Sequence, residues 1–532
     1  MVHIEELPVE VLSQIMGHLV DPEDHNPSKL PGLDALNKDD GEDETHKDEM
    51  EDIRNACLVS RKFCDIAQPL IFRDFEDLDL DGDLRNTIAF AKAIYGRPEL
   101  GNYVQSIGFM PIIPEEANFR AQAGIGPEYS EFLHGLIKDL QLGDQEKSWV
   151  QILKNCDLGI IGALLVNKTP NLRDLHLPAG QFSIKPIVDL ISRDPSLLSN
   201  LESFWVESDV EDAGWDITTF EKLLTSPHLI HPTFEYGNLL DKSFPSTWKP
   251  QTLSAQELVF HHCHIDGGAI QKFMKACKKV KSLIVQNFSV DPQDGRPPTK
   301  GMTQFDAAQG LKAALLHKNT LEHFHLEYDE YSAKRPKIGS FRDFTALDMI
   351  FISHSIVPPH PTFCRSLKEL HFTDCNTSVR EVVKNIAADC KKGLYPEFTK
   401  FRVLSRDITA PIKLPGQRVP QGQTPEQCFR SIQDMFKGTK VDFQIVPYEM
   451  PDFDDYDSDT EDYEDDEEYP PGLAGLLGGL RGPGGGGGTG RGPMPPQLLD
   501  MIMQRAMQDP EFAHLAPRGG DNDDEWMTDG ED

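Results

Sequence analysis

A recurring spacing of apolar residues, at the first, fourth and sixth positions of a short segment, constrains the fold of this chain most strongly. It appears from about residue 100 onward, and self-similarity at intervals of tens of residues is typical of repeat architectures. Between the third and fourth matches, Leu229 and Phe234 indicate a further, poorly matching repeat. The matches are Val104-Ile107-Phe109, Leu172-Leu175-Leu177, Leu201-Phe204-Val206, Ala255-Leu258-Phe260, Val280-Leu283-Val285, Leu321-Phe324-Leu326, Leu367-Leu370-Phe372 and a degenerate Phe398-Phe401-Val403.

Each match predicts a short strand whose alternating apolar side chains face inward. In two segments the pattern extends to a cysteine three positions past the last apolar residue, Cys263 and Cys375. We expect this small side chain to pack under the turn that leads to an outer helix. Repeats of this kind bury their faces only against their neighbours, so the pattern predicts one α/β solenoid over residues 76–450.

Two stretches near the N-terminus predict small amphipathic helices. Pro8 fits a first helical turn, and Ser60 is placed as an N-cap for the second stretch. Apolar residues recur at helical spacing in both stretches: Leu12, Ile15, Met16 and Leu19 in the first, and Phe63, Ile66, Ala67 and Leu70 in the second.

The net charge of −35 is concentrated in two segments. Residues 21–52 carry 13 acidic residues against 3 lysines, and residues 452–532 carry 22 against 4 arginines. We predict a disordered insert at residues 22–51 and a disordered acidic and Gly-rich tail at residues 451–532, because neither has the apolar content for a core. The remaining chain is only mildly acidic, which argues against nucleic-acid binding through a basic face.

The N-terminal segment and the cysteines bear on the compartment. MVHIEELPVE holds three glutamates and no apolar core region, so no secretory signal is predicted. No run of about 18 apolar residues occurs, so we predict neither a membrane span nor a membrane partner. Nine scattered cysteines favour reduced thiols in the cytoplasm or the nucleus.

The two helical stretches, LPVEVLSQIMGHL and NACLVSRKFCDIAQPLIFRDF, resemble the F-box, particularly as it occurs in fungal F-box proteins followed by leucine-rich repeats. The most specific parts are Leu7-Pro8 with Glu10, residues 12–19, and Leu58-Val59-Ser60-Arg61. The acidic insert is longer than the connection usual in that family. The apolar repeats with their cysteines resemble the leucine-rich repeats found with F-boxes.

The resemblance implies a small all-α module at residues 1–75, followed by a leucine-rich-repeat-like substrate-binding domain. In this family the exposed apolar residues of the module bind a Skp-type adaptor, which binds a cullin scaffold with a RING subunit. Leu70 and Phe72 would close the module. The adaptor-binding residues that the resemblance implies are Leu7, Pro8, Ile15, Leu19, Leu58 and Val59.

The predicted function is therefore substrate recognition in an SCF ubiquitin ligase, by a subunit without catalytic residues of its own. Such a receptor acts by proximity, because it holds the lysines of a protein substrate near the ubiquitin-loaded conjugating enzyme. The alternative is an acidic interaction protein or chaperone that holds basic partners of chromatin or ribosome assembly electrostatically through its tail.

The sequence predicts no metal site, no cofactor and no catalytic residue. His261, His262, Cys263 and His264 look like zinc ligands, but successive side chains of a strand point to opposite faces, and no second pair of finger-like spacing lies nearby. We predict instead that Cys263 belongs to the core. A catalytic cysteine would need a base and an orienting partner, and no local signature of that kind occurs.

A first prediction concerns the tail. Ending the chain at residue 450 should leave thermal unfolding as cooperative as in the full-length chain, because the removed residues lack the apolar content to join a core. Circular dichroism at the two lengths measures this. A large drop in melting temperature would mean that the tail packs on the body.

Overall fold

The structure is a computed structural model, and the part of the chain that it describes lies within the first of two units, Met1–Asp452 and Phe453–Asp532. The predicted insert at 22–51 and the predicted tail at 451–532 lie outside the described residues. The described residues are 4, 7–17, 53–77, 84–109, 126–155, 157–179, 183–207, 215–287, 305–328, 335–375, 378–405 and 433–447.

The body is mixed α/β and is built on one twelve-stranded sheet, in which the strands follow one another in chain order. Every neighbouring pair is parallel. The short strands β6 (Asn238–Leu239) and β8 (His264–Ile265) form a separate parallel pair. The twelve strands are β1 (Asp74–Asp77), β2 (Ser106–Phe109), β3 (Asp174–Pro178), β4 (Ser203–Glu207), β5 (His231–Glu235), β7 (Glu257–His261), β9 (Ser282–Asn287), β10 (His323–Tyr328), β11 (Met349–Ser353), β12 (Glu369–Thr373), β13 (Lys400–Ser405) and β14 (Asp442–Pro447).

The helices of the described residues are mostly short, and several begin at a side-chain cap. Before the helix Ala307–Ala314, Asp306 accepts a hydrogen bond from Gln309 N at 2.8 Å, and Gln309 Oε1 accepts one from Asp306 N at 3.0 Å, which forms a capping box. None of these helices combines the length and the apolar composition that a membrane crossing requires. The helices are α1 (Val9–Gly17), α2 (53–59), α3 (Arg61–Ile71), α4 (Arg85–Gly96), α5 (Pro98–Gly101), α6 (Pro127–Asp139), α7 (Glu146–Lys154), α8 (Gly159–Val166), α9 (Lys185–Arg193), α10 (Glu221–Leu224), α11 (Gly267–Ala276), α12 (Ala307–Ala314) and α13 (Val379–Lys391).

The strands predicted from the apolar spacing are confirmed. All eight matched segments contain a strand of the sheet, and the weak match around Leu229 and Phe234 corresponds to β5. The fourth positions are in register from strand to strand, since Leu258 pairs with Leu283 and Leu283 pairs with Phe324. The apolar side chains therefore stack along the sheet in continuous rows.

The main core lies between these rows and the helices. Phe273 of α11 packs against Phe260 of β7 with ring centroids 6.0 Å apart. Both predicted core cysteines are buried: Cys263 Sγ donates to Phe234 O at 3.3 Å, and Cys375 Sγ donates to Phe372 O at 3.2 Å. The prediction that these two residues belong to the core is confirmed.

The predicted solenoid of leucine-rich-repeat-like units is not shown by the structure. A solenoid stacks repeats of similar length and content. Here the connections differ strongly, because three α-helices, α6, α7 and α8, lie between β2 and β3, whereas no α-helix lies in the fully described connection between β11 and β12. The supported description is a mixed α/β body with a parallel sheet.

The first three helices are joined to the sheet through α3. Helix α3 ends at Ile71 and β1 begins at Asp74, where Arg73 O accepts hydrogen bonds from Gln105 N and Ser106 N at 2.7 and 3.1 Å. Phe72 stacks on Phe90 of α4 with ring centroids 5.9 Å apart. Helix α3 is therefore attached to the body through a packed junction.

The rows of stacked apolar residues generate a stability prediction. Leu370 of β12 is fully buried in the fourth-position row, so Leu370→Asp should unfold the body or destabilise it by more than about 4 kcal/mol, because it buries an unpaired carboxylate. Urea denaturation measures the loss. The half-exposed Leu394 provides the control, and Leu394→Asp should change stability little. A folded, fully stable Leu370→Asp protein would contradict the register.

Candidate functional site

The first three helices form a module with a small hydrophobic core of its own. That core is separate from the core of the sheet, and Leu7 and Leu70 pack against it from the side. The Ser60 side chain accepts a hydrogen bond from Phe63 N at 3.4 Å and so caps α3, as the sequence predicted. The core residues are Leu12, Met16, Ile53, Phe63, Ile66 and Ala67.

The structure describes five of the six residues that the resemblance implies for adaptor binding, since Leu19 lies outside the described residues. Leu58, Val59 and Ile15 expose 84%, 63% and 42% of their surface, and Pro8 is also exposed. Leu7 is half-buried, and Lys62 Nζ donates to Leu7 O at 2.7 Å. Leu7 therefore belongs partly to the packing of the module.

Three further apolar residues of the module are exposed that sequence reasoning did not select: Ile4, Val9 and Val11. Large apolar side chains exposed together on a small module are typical of a protein-binding surface, because water disfavours their exposure. For Val11 the signal was present in the sequence, since it lies on a face of α1 other than that of Leu12 and Met16, whereas Val9 lies on their face, at the first residue of the helix.

A second candidate surface is the face of the sheet opposite the apolar rows, which we call the open face. Strand side chains alternate, so the third, fifth and seventh positions of each repeat lie there. On β3 and β4, His176 stacks on Trp205 with ring centroids 4.3 Å apart and planes 4° apart, and His176 Nε2 lies 3.0 Å from Glu207 Oε2. Trp205 exposes 39% of its surface.

The carboxylates of the open face crowd one another near these rings. Burial, and then repulsion from Glu207, raise the pKa of Glu235 on β5 to about 8. Burial, and then repulsion from Glu202 and Asp74, raise the pKa of Asp174 on β3 to about 6. Like charges this close oppose ionisation, so a bound cation would be stabilised here.

Further along the sheet, the open face is buried and several of its polar groups are paired with one another. Gln286 Nε2 donates to Glu327 Oε2 at 3.2 Å, and His325 Nε2 lies 3.2 Å from the same oxygen. His325 packs against Phe351 with ring centroids 4.1 Å apart. Burial, and then His325, lower the pKa of His261 to about 4. This half of the face is a partly paired polar network that helps to hold the strands together, with His261 Nδ1, Ser282 Oγ and His371 Nδ1 buried without a hydrogen-bond partner among the described residues.

The His-Cys cluster of the sequence is dispersed by the fold. His261 is buried in β7, His262 takes a left-handed turn conformation with φ of 49°, and His264 is exposed in β8. In the part of the chain that the structure describes, no group of three or more His, Cys, Asp and Glu side chains is placed to hold a metal ion. Burial raises the pKa of the thiols of Cys263, Cys277 and Cys375, so they stay protonated at neutral pH and are poor nucleophiles.

No protein-family model matches the chain, and no curated protein matches it.

The raised pKa of Glu235 predicts a pH dependence. An acid whose folded-state pKa lies at about 8, above its ordinary value of 4.5, keeps its proton longer when folded, so its contribution to stability is lost as the pH rises between these values. The free energy of unfolding of Glu235→Gln minus that of the wild type should therefore be larger at pH 9 than at pH 6, by at least about 1 kcal/mol.

Urea denaturation at the two pH values measures this difference. Glu381→Gln removes an exposed carboxylate of α13. Its difference in stability from the wild type should be the same at both pH values. Equal behaviour of the two variants would mean that Glu235 titrates like an ordinary surface residue.

Proposed function

We propose that the chain is an F-box protein, the substrate-recognition subunit of an SCF ubiquitin ligase. In this proposal the α1–α3 module binds the Skp-type adaptor, and the adaptor links the chain to the cullin scaffold. The body with the parallel sheet holds a protein substrate. The chain itself supplies no reacting group, and its contribution is the positioning of the substrate.

The exposure of Leu58 and Val59 carries this proposal. These two residues are the most exposed large apolar side chains of the described chain, and they end α2, with only Ser60, the N-cap of α3, between them and α3. Their position coincides with the Leu-Val-Ser-Arg segment on which the resemblance depends. Apolar anchors of this kind supply most of the binding energy of an interface.

The packed junction between α3 and β1 also supports the proposal. A receptor that works by positioning requires a stiff connection between its adaptor-binding and substrate-binding parts. Arg97 Nη2 of the body donates to Gln68 Oε1 of α3 at 3.0 Å, and Phe72 of the junction packs against the core of the sheet. Both contacts restrict rotation of α3 against the sheet.

The charge distribution favours a second candidate function, an acidic interaction protein for basic partners. The two acidic segments at residues 21–52 and 452–532 account for most of the net charge of −35. Binding of this kind is electrostatic and weakens steeply with salt. It requires neither Leu58 nor Val59.

The test is co-purification with a Skp-type adaptor. Leu58→Asp with Val59→Asp should abolish adaptor binding at unchanged melting temperature, because both side chains are exposed and the folded module does not depend on them. Leu316→Asp with Leu394→Asp changes two exposed leucines of the body in the same way and should bind the adaptor normally.

Two outcomes contradict the proposal. Retention of the adaptor by the Leu58 and Val59 variant would place the binding surface elsewhere. Recovery from cells of basic proteins alone, without adaptor or cullin and with loss at moderate salt, would favour the second candidate function.

A further inference from the structure

The open face of the sheet has an uneven charge distribution along the described strands. From β1 to β5, the third, fifth and seventh positions hold five carboxylates and neither lysine nor arginine. Near the other edge of the sheet, the third and fifth positions of β13 are Lys400 and Arg402. The acidic positions are Asp74, Glu76, Asp174, Glu207 and Glu235. We call these five residues together with Trp205 the acidic face.

Trp205 is the aromatic anchor of the acidic face. Its fifth-position neighbours are His176 on β3, which stacks flat against it, and the small Thr233 on β5. The indole is therefore held in one orientation while 39% of its surface stays exposed. A flat, fixed and exposed indole beside carboxylates is the arrangement that best binds an ammonium or guanidinium group, through cation–π attraction combined with charge.

One carboxylate of the acidic face, that of Glu235, has no salt-bridge partner among the described residues, whereas Glu207 Oε2 lies 3.0 Å from His176 Nε2. Glu207 and Glu235 follow directly after Val206 and Phe234, the last residues paired between β4 and β5, and the Glu235 carboxylate forms neither a hydrogen bond nor a salt bridge within the described part of the chain. Repulsion between them contributes to the raised pKa of Glu235. A positive side chain placed between Glu207 and Glu235 would remove this repulsion.

We propose that the acidic face binds a segment of a partner protein that is rich in lysine and arginine, with one basic side chain over Trp205 and a second between Glu207 and Glu235. This inference rests on the proposed function only in naming the ligand a substrate. If the chain is a ligase receptor, its substrates carry an exposed basic segment near the modified lysine.

The probe is a short fluorescent peptide of alternating lysine and glycine, titrated into the full-length chain and followed by fluorescence anisotropy. Trp205→Ala should weaken binding about tenfold or more, the loss expected of an anchor that combines cation–π attraction with charge. Glu207→Gln with Glu235→Gln should weaken binding to a similar extent. A peptide of alternating glutamate and glycine should not bind.

Two matched controls separate the acidic face from the remaining negative charge. Tyr103→Ala removes an aromatic side chain that is 40% exposed outside the acidic face, and Glu381→Gln removes a carboxylate on α13. Both should bind the lysine peptide like the wild type. Equal affinity of all variants would overturn the inference, because the peptide would then be held by acidic residues elsewhere in the chain. Folding of each variant is checked by its melting temperature.

Adaptor co-purification on the same samples distinguishes the two proposals. If the adaptor binds and Trp205→Ala leaves the affinity for the lysine peptide unchanged, the proposed binding of basic segments by the acidic face is wrong and the ligase assignment stands. If Trp205→Ala weakens binding of the lysine peptide but no adaptor co-purifies, the acidic face does bind basic segments and the ligase assignment fails.

Discussion

The in-register stacking of apolar side chains at the fourth and sixth strand positions is the interaction on which the rest of the structure depends. Leu258, Leu283 and Phe324 illustrate the row, since each lies directly opposite the next on a neighbouring parallel strand. A shift of one residue in any strand would turn its apolar side chains to the opposite face. The sheet therefore keeps one register over twelve strands, although the segments between the strands differ greatly in length and content.

The same alternation determines what the open face can contain. With the fourth and sixth positions committed to the core, the residues between them vary more freely, and they differ along the sheet. Around Glu327 they form a buried network in which Gln286, His325 and Glu327 contact one another, whereas near Trp205 the carboxylate of Glu235 has no partner among the described residues. One half of this face contributes to stability, and the other half is the one for which we propose binding of a basic segment.

The strands could be predicted from the sequence because a single spacing rule describes most of them. Strand β11 was missed although Leu347, Ile350 and Ile352 follow that rule. Strand β5 was only indicated, because Pro232 occupies its fourth position, and β1 and β14 lie at the sheet edges, where less burial is required. The solenoid predicted from the strand spacing is absent from the described residues, because that spacing does not determine what lies between the strands.

The candidate sites differ in how far the sequence could reveal them. Leu58 and Val59 are adjacent in the chain, so a local motif indicated them, and the structure places both at the surface. His176, Trp205 and Glu235 lie on three strands and meet only through the register. A comparison of fifth and seventh positions across all repeats could have found them, since that comparison reveals the acidic side chains and the one tryptophan among them.

Because α3 leads directly into β1, the position of a strand in the sheet determines its distance from α3. Neighbouring strands lie about 4.8 Å apart, so Trp205 on β4 is about 14 Å along the sheet from β1, whereas Arg402 on β13 is about 48 Å away. A ligand at Trp205 is thus held within a short and nearly constant reach of α3. If the chain is a ligase receptor as proposed, few lysines of a bound protein can occupy the small volume that this reach defines, and geometry would select the modified lysine as much as affinity does.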